Sequence, residues 1–212
     1  MTTATVKTAS VPRFLAVSVL ALLVLMPLWY QVAAHLARPT LELAGQFMAW
    51  GFDWVKSVQV DGTMGTLRTR LNTVIQLPSG LKGLGELAPK LDYRLSGYGL
   101  ALLWALLVAS WPQRLWLKLP LGTLALVPLQ ALSLCLTWLQ QVYFTSGPDV
   151  LQQAAPSAWL REMVAFGFHF NLFMLTPLAP VLIWFALDRQ FASNIWRSML
   201  TQNPVRPPNL PH

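Results

Sequence analysis

The segment Trp159 to Phe191, WLREMVAFGFHFNLFMLTPLAPVLIWFALDRQF, constrains this chain more than any other. It opens on Arg161 and Glu162 and closes on Asp188 and Arg189. Between them it runs apolar for about 25 residues, enough at about 1.5 Å per residue to cross a bilayer core of roughly 30 Å. His169, Asn171 and Thr176 sit inside it, together with Pro177 and Pro180. Polar groups in hydrocarbon cost free energy unless they are paired. The segment therefore needs helical neighbours, and three further apolar runs supply them: Phe14 to Leu36, Leu95 to Trp111 and Leu119 to Phe144.

Composition agrees. Of 212 residues, 55% are hydrophobic and 11% charged, whereas a soluble domain carries about 25% charged residues. This is an integral membrane protein. The net charge of +7 comes from bases that flank apolar runs, a pattern of topology and lipid headgroups rather than of nucleic-acid binding. The single cysteine, Cys135, excludes an intrachain disulfide and a multi-cysteine metal site. His35, His169 and His212 are far apart and form no metal-ligand spacing. Gly80, Gly83 and Gly85 follow no strand and open no helix, so they make no phosphate loop. No metal and no cofactor is expected, and membrane lipid is the first expected partner.

The predicted fold is an all-α membrane protein of four transmembrane helices, with a small extracytoplasmic amphipathic helix and β-hairpin. The first span (14–36) is too long for a signal-peptide core and lacks a small-x-small site after Leu28, so it reads as an uncleaved anchor. Trp29 and Tyr30 fit an interfacial belt. Residues 37–94 form the long hydrophilic region. In 40–56, Leu43, Phe47, Trp50 and Trp54 recur at helical spacing, which predicts an amphipathic helix either lying in the interface or packed on the spans. Around the Asp61-Gly62 turn, Val58 and Val60 alternate, and so do Leu67, Thr69, Leu71 and Thr73 against Arg68, Arg70 and Asn72. That predicts a hairpin, whose Arg68 and Arg70 face binds lipid phosphate or an acidic partner, or is simply solvated. Residues 78–90, rich in Gly and Pro, read as a linker. Spans 95–111 and 119–144 follow, joined by a turn at 112–118, then a polar loop at 145–158, the span 159–191 and a disordered tail at 192–212.

The short segments set the orientation. Lys7 and Arg13, then Arg114 and Lys118, then Arg189, Arg197 and Arg206 mark one side, and the 145–158 loop has no Lys or Arg. The positive-inside rule then puts both termini in the cytoplasm of an inner membrane and the hairpin outside it.

One constellation bears on chemistry. Counted from the outer helix ends, Cys135 and His169 each lie about 12 Å deep, with Arg161 above them. Nucleophile, base and oxyanion stabiliser would suit acyl transfer. Against this, a lone Cys in LSLCLTW is ordinarily a small core hydrophobe, and burial raises a thiol pKa. For His169 the plain alternative is a hydrogen bond to Gln130, Asn171 or a backbone carbonyl. Arg161 and Glu162, adjacent on a helix, need separate partners, in lipid or protein. Trp50 and Trp54 join them as contact residues.

YGLALLWALL at 98–107 and REMVAFGFHFNLFMLTPLAPVLIWFALDRQF at 161–191, preceded by one span and a hairpin, resemble the exosortase H-associated membrane protein family over essentially the whole chain. The resemblance implies a neighbour of an exosortase, a polytopic Cys-Arg-His enzyme that cuts and transfers proteins bearing a C-terminal sorting signal. Arg161 and Glu162 match the family's run and bring no assigned role. The order Cys135, Arg161, His169 echoes the enzyme, but the spacing is far tighter and the small residues around its cysteine are missing. The expectation is a non-catalytic accessory partnered by an exosortase or its sorting substrate. The competing expectations are a membrane cysteine transpeptidase or protease using Cys135 and His169, and a small transporter subunit.

Overall fold

The computed structural model describes residues 11–76, 82–112, 114–191 and 193. The expected cytoplasmic N-terminus with Lys7, the start of the 78–90 linker and nearly all of the 192–212 tail lie outside the described residues.

Helix α1 runs unbroken from Val11 to Gly51. The predicted first span and the predicted amphipathic helix are therefore one element, which corrects the division at 37–39 and the helix end at 56. Pro39 removes one backbone donor inside α1. In the same turn Thr40 Oγ1 donates to the Leu36 carbonyl at 3.1 Å, and Arg38 pairs with Glu42 at 2.9 Å. The buried line along α1 is Ala33, Ala37, Leu41, Ala44 and Met48, steps of three and four that keep one face inward. The aromatic face read from the sequence points elsewhere: Phe47 is 45% and Trp50 92% exposed. Trp54 is not helical at all; it precedes the first strand and packs on Phe52 with ring centroids 5.1 Å apart.

The hydrophilic region forms two small sheets rather than one hairpin. Strands β1 (Val55–Asp61) and β2 (Met64–Thr69) pair antiparallel about Gly62, whose φ of 58° is the left-handed conformation glycine tolerates. Strand β5 (Lys90–Asp92) adds to the far edge of β2. Strands β3 (Asn72–Gln76) and β4 (Lys82–Glu86) form a second antiparallel pair. Within the described part of the predicted linker, residues 82–86 and 90 are strand. Its glycines carry no strand propensity, but Gly83 and Gly85 pair with Ile75 and Thr73 through backbone alone. Leu67, Thr69 and Leu71 are buried while Arg68, Arg70 and Asn72 are exposed, following the predicted alternation. The sheets join through Thr69 Oγ1 donating to the Leu87 carbonyl at 2.6 Å and through the Lys56–Glu86 ion pair.

The chain then enters the short α2 (Arg94–Gly97) and α3 (Gly99–Ser110), and the long α4 (Leu115–Gln140), which ends in a π turn, Gln141–Thr145. Helix α5 (Pro148–Ala154) occupies the loop read as irregular. Helix α6 (Ala158–Phe170) passes through a second π turn (Asn171–Leu175) into α7 (Thr176–Leu187). Pro177 and Pro180 do not break this helix. The π turn widens it so that the Thr176 N–H and Oγ1 both donate to the Asn171 carbonyl.

Among the described residues three helices are long and apolar enough to cross a membrane: Val11–Gly51, Leu115–Thr145 and Ala158–Leu187. Arg94–Ser110 is a shorter apolar helix, roughly 25 Å long. At the end away from the sheets, Lys118 Nζ lies 3.5 Å from Asp188 Oδ1, Phe14 stacks on Trp184 at 5.3 Å, and Trp184 Nε1 donates to Ser110 Oγ at 3.1 Å. With that end as a common base, α1 is roughly 60 Å long and the other two long helices roughly 45 Å each, against a hydrocarbon core of roughly 30 Å. Each of these lengths exceeds the hydrocarbon thickness, and the sheets sit at the end opposite the shared base.

Candidate functional site at the junction of bundle and cap

The ends of α1 and α4 away from that base form the platform for the sheets. Gly65 of β2 lies in the gap between them: a methyl added there would meet Leu41 Cδ2 of α1 at 2.5 Å and Trp138 Cζ2 of α4 at 3.1 Å. Gly45 of α1 lets β1 approach just as closely, since an added methyl would stand 2.6 Å from Val58 Cγ2. Gln141 Nε2 donates to the Lys90 carbonyl at 3.0 Å and ties the end of α4 to β5. Gln153 of α5 clamps the second sheet: its Oε1 accepts from the Asn72 N–H at 2.8 Å, and its Nε2 donates to the Asn72 carbonyl at 2.9 Å. That side-chain amide takes the place of a neighbouring strand.

Below the sheets lies a buried polar row. Tyr93 Oη donates to Gln130 Oε1 at 3.1 Å, and Gln130 Nε2 donates to the Gly97 carbonyl at 3.4 Å. Asn171 Nδ2 donates to Ser133 Oγ at 2.7 Å. These pairs join α2, α4 and the π turn around a small crevice that Ser96 and Thr176 also line. Pro180 cannot donate to the Thr176 carbonyl, and Gly99 makes room beside that oxygen, where a methyl would stand 3.4 Å away. Gln130 and Asn171 were visible in the sequence as polar residues within spans. Ser133 and the Gln153 clamp gave no sequence signal, because their partners are distant in the chain.

The proposed reactive pair does not assemble. Cys135 is buried, and its thiol donates to the Ala44 carbonyl of α1 at 3.4 Å. His169 is exposed, and its Nδ1 lies 2.7 Å from the Ala165 carbonyl of its own helix. Equal depth placed the two side by side only on paper: Cys135 faces α1, and the exposed His169 ring lies beside Phe173. The backbone carbonyl expected among the plain partners of His169 is the one it meets. Arg161 stands over the Phe144 ring at 5.6 Å and Glu162 is exposed beside a shallow depression formed with Ala158 and Ala165. Arg68 Nε donates to Gln59 Oε1 at 3.1 Å across the first sheet. Among the described residues no three His, Cys, Asp or Glu side chains converge as metal ligands. Trp29, read as an interfacial residue, is buried against Tyr93; Tyr30 is exposed and accepts from Arg94 Nη1 at 2.6 Å.

Long apolar helices under a compact strand cap define a multi-pass membrane protein. The chain belongs to the exosortase H-associated membrane protein family, whose family model matches residues 8–191. No curated protein and no solved structure matches it.

Proposed function

We propose that this protein is a non-catalytic accessory subunit of an exosortase-type sorting system in a bacterial inner membrane. Four spans carry the cap on the extracytoplasmic side, with both termini in the cytoplasm. The family description, a membrane protein associated with an exosortase, supports the partner class. Arg13, Arg114, Lys118 and Arg189 lie at the end away from the cap and favour the inward placement of that end. The observation that carries the non-catalytic reading is the engagement of Cys135 with the Ala44 carbonyl, where the thiol acts as mortar between α1 and α4. A nucleophile needs a base within reach and space for substrate.

The test is co-expression with an exosortase and a protein bearing its sorting signal. The exosortase is expected to co-purify with the chain, and Cys135→Ala is expected to leave substrate processing intact. A folded Cys135→Ala variant that leaves the substrate uncleaved refutes the accessory reading. Reporter fusions at residues 62 and 147 check the placement of the cap.

A further inference from the structure

The polar row between α2, α4 and the π turn has hydrogen-bonding capacity to spare. Gln130, Ser133 and Asn171 are each more than nine-tenths buried, at 5%, 4% and 4% exposure. Asn171 Nδ2 donates to Ser133 Oγ at 2.7 Å, yet among the described residues nothing donates to Asn171 Oδ1 and nothing accepts the Ser133 hydroxyl hydrogen. Gln130 Nε2 reaches the Gly97 carbonyl only at 3.4 Å, beyond the usual length of such a bond. On the α7 side, Pro180 cannot return the helical hydrogen bond to the Thr176 carbonyl. Buried polar groups in this state cost free energy until something pairs with them.

Size and charge select what does so. Gln130, Ser133, Asn171 and Thr176 line one cavity of about 20 Å³, and a single water needs roughly 10–15 Å³ and two to four polar partners. No Asp, Glu, Lys, Arg or His lines it, so an ion there would be buried without a counter-charge. An apolar occupant would leave the same polar atoms unpaired.

We propose that this cavity is a hydration site holding one internal water. The water donates to Asn171 Oδ1 and to the Thr176 carbonyl, and accepts from the Ser133 hydroxyl and the Gln130 amide. Its two hydrogens and two lone pairs match those four groups. The site lies where the π turn and Pro180 together interrupt the regular hydrogen bonding of α6 and α7. Membrane helices tolerate such interruptions where ordered water and neighbouring polar side chains take up the freed groups. The water therefore fastens the interrupted stretch to α4. Gly99 keeps the site open: it lines the cavity, and a methyl there would stand 3.4 Å from the Thr176 carbonyl oxygen and 3.0 Å from Pro180 Cγ.

The test uses the full chain in lipid nanodiscs with isotope-labelled asparagine. Asn171→Gln identifies the Asn171 side-chain amide by loss of its resonances. In the parent that amide is expected to show a nuclear Overhauser cross-peak to water with the sign of a long-lived, bound molecule. Gly99→Ala removes no polar group and is expected to lose the cross-peak while Cys135 stays protected from a maleimide. A parent spectrum with the Asn171 amide resolved and no bound-water cross-peak overturns the site. So does a cross-peak that survives in folded Gly99→Ala, because the water then lies elsewhere. An unfolding midpoint that rises when sodium replaces choline marks a cation site and also overturns the assignment to water. If Gly99→Ala does not fold, the parent spectrum and the sodium comparison decide.

Discussion

The seat of the cap can be tested at Gly65. Its φ is ordinary, so alanine there meets no backbone strain. The new methyl would stand 2.5 Å from Leu41 Cδ2 and 3.1 Å from Trp138 Cζ2. Leu41 and Trp138 are both fully buried, so one of them must shift within a filled core to admit it. Overpacking of this kind costs about 1–3 kcal/mol. Leu41→Ala alone empties a filled site and costs about 2–5 kcal/mol. In the double variant the added methyl occupies space that Leu41 vacates, so the clash with Cδ2 disappears and part of the void is filled. The two costs therefore should not add: the double variant is expected to be more stable than the sum by about 1–3 kcal/mol, the size of coupling seen between touching residues. Cys135 supplies the assay. Its thiol is shielded by the same contact of α1 with α4, so the maleimide labelling rate in mild detergent reports how often that contact opens. Labelling rates of the four members of the cycle give the coupling directly. Additivity within about 0.5 kcal/mol, or Gly65→Ala labelling no faster than the parent, refutes the claim that the cap is seated on Leu41 and Trp138.

Three further outcomes follow from the same geometry. Gln153→Ala removes both partners of Asn72 and is expected to cost about 1–3 kcal/mol, seen as faster amide exchange in β3 and β4 with β1 and β2 unchanged. Lys118→Met leaves the buried Asp188 carboxylate without its cation and is expected to cost about 3–5 kcal/mol in detergent unfolding, with most of the loss recovered on adding Asp188→Asn. The hydrogen bond from Lys56, followed by its charge, holds the Glu86 carboxyl below its ordinary pKa. Its contribution to stability is therefore present above the unfolded pKa and lost as pH falls through the lower folded value, so Lys56→Met is expected to flatten the acid side of the stability profile.

The apolar runs were legible because a membrane span is a property of one segment: composition and length suffice. The alternation along residues 67–72 was legible for the same reason, with Leu67, Thr69 and Leu71 inward and the arginines outward. What the sequence hid depends on partners far along the chain. Strand β4 is built from residues with little strand preference and exists because Asn72–Gln76 pairs with it. The helical face of residues 40–56 was read from its aromatics, yet the buried line is Leu41, Ala44, Gly45 and Met48, with the small residue Gly45 where β1 comes close. Depth counting placed Cys135 beside His169 because it fixed how high each residue stands and left open which way it faces. Cys135 turns to α1 at the Ala44 carbonyl, while His169 stays on the exposed side of α6.

The cap's stability is borrowed from the helices beneath it. A two-stranded ribbon and a three-stranded sheet of this size are marginal in water, and neither carries a core of its own. The residues that close them come from either side of the strands in sequence: Leu41 and Gly45 precede the strands, whereas Trp138, Gln141 and Gln153 follow them at long range. Contacts of such long separation form late, after the loop between them has been closed. The strands therefore depend on α4 packed against α1 and on α5 folded back over β3. The far end of α4 makes that closure possible: a helix that stopped short of Trp138 would leave that side chain and Gln141 out of reach. The length of α1 and α4 and the existence of a folded cap are one structural fact.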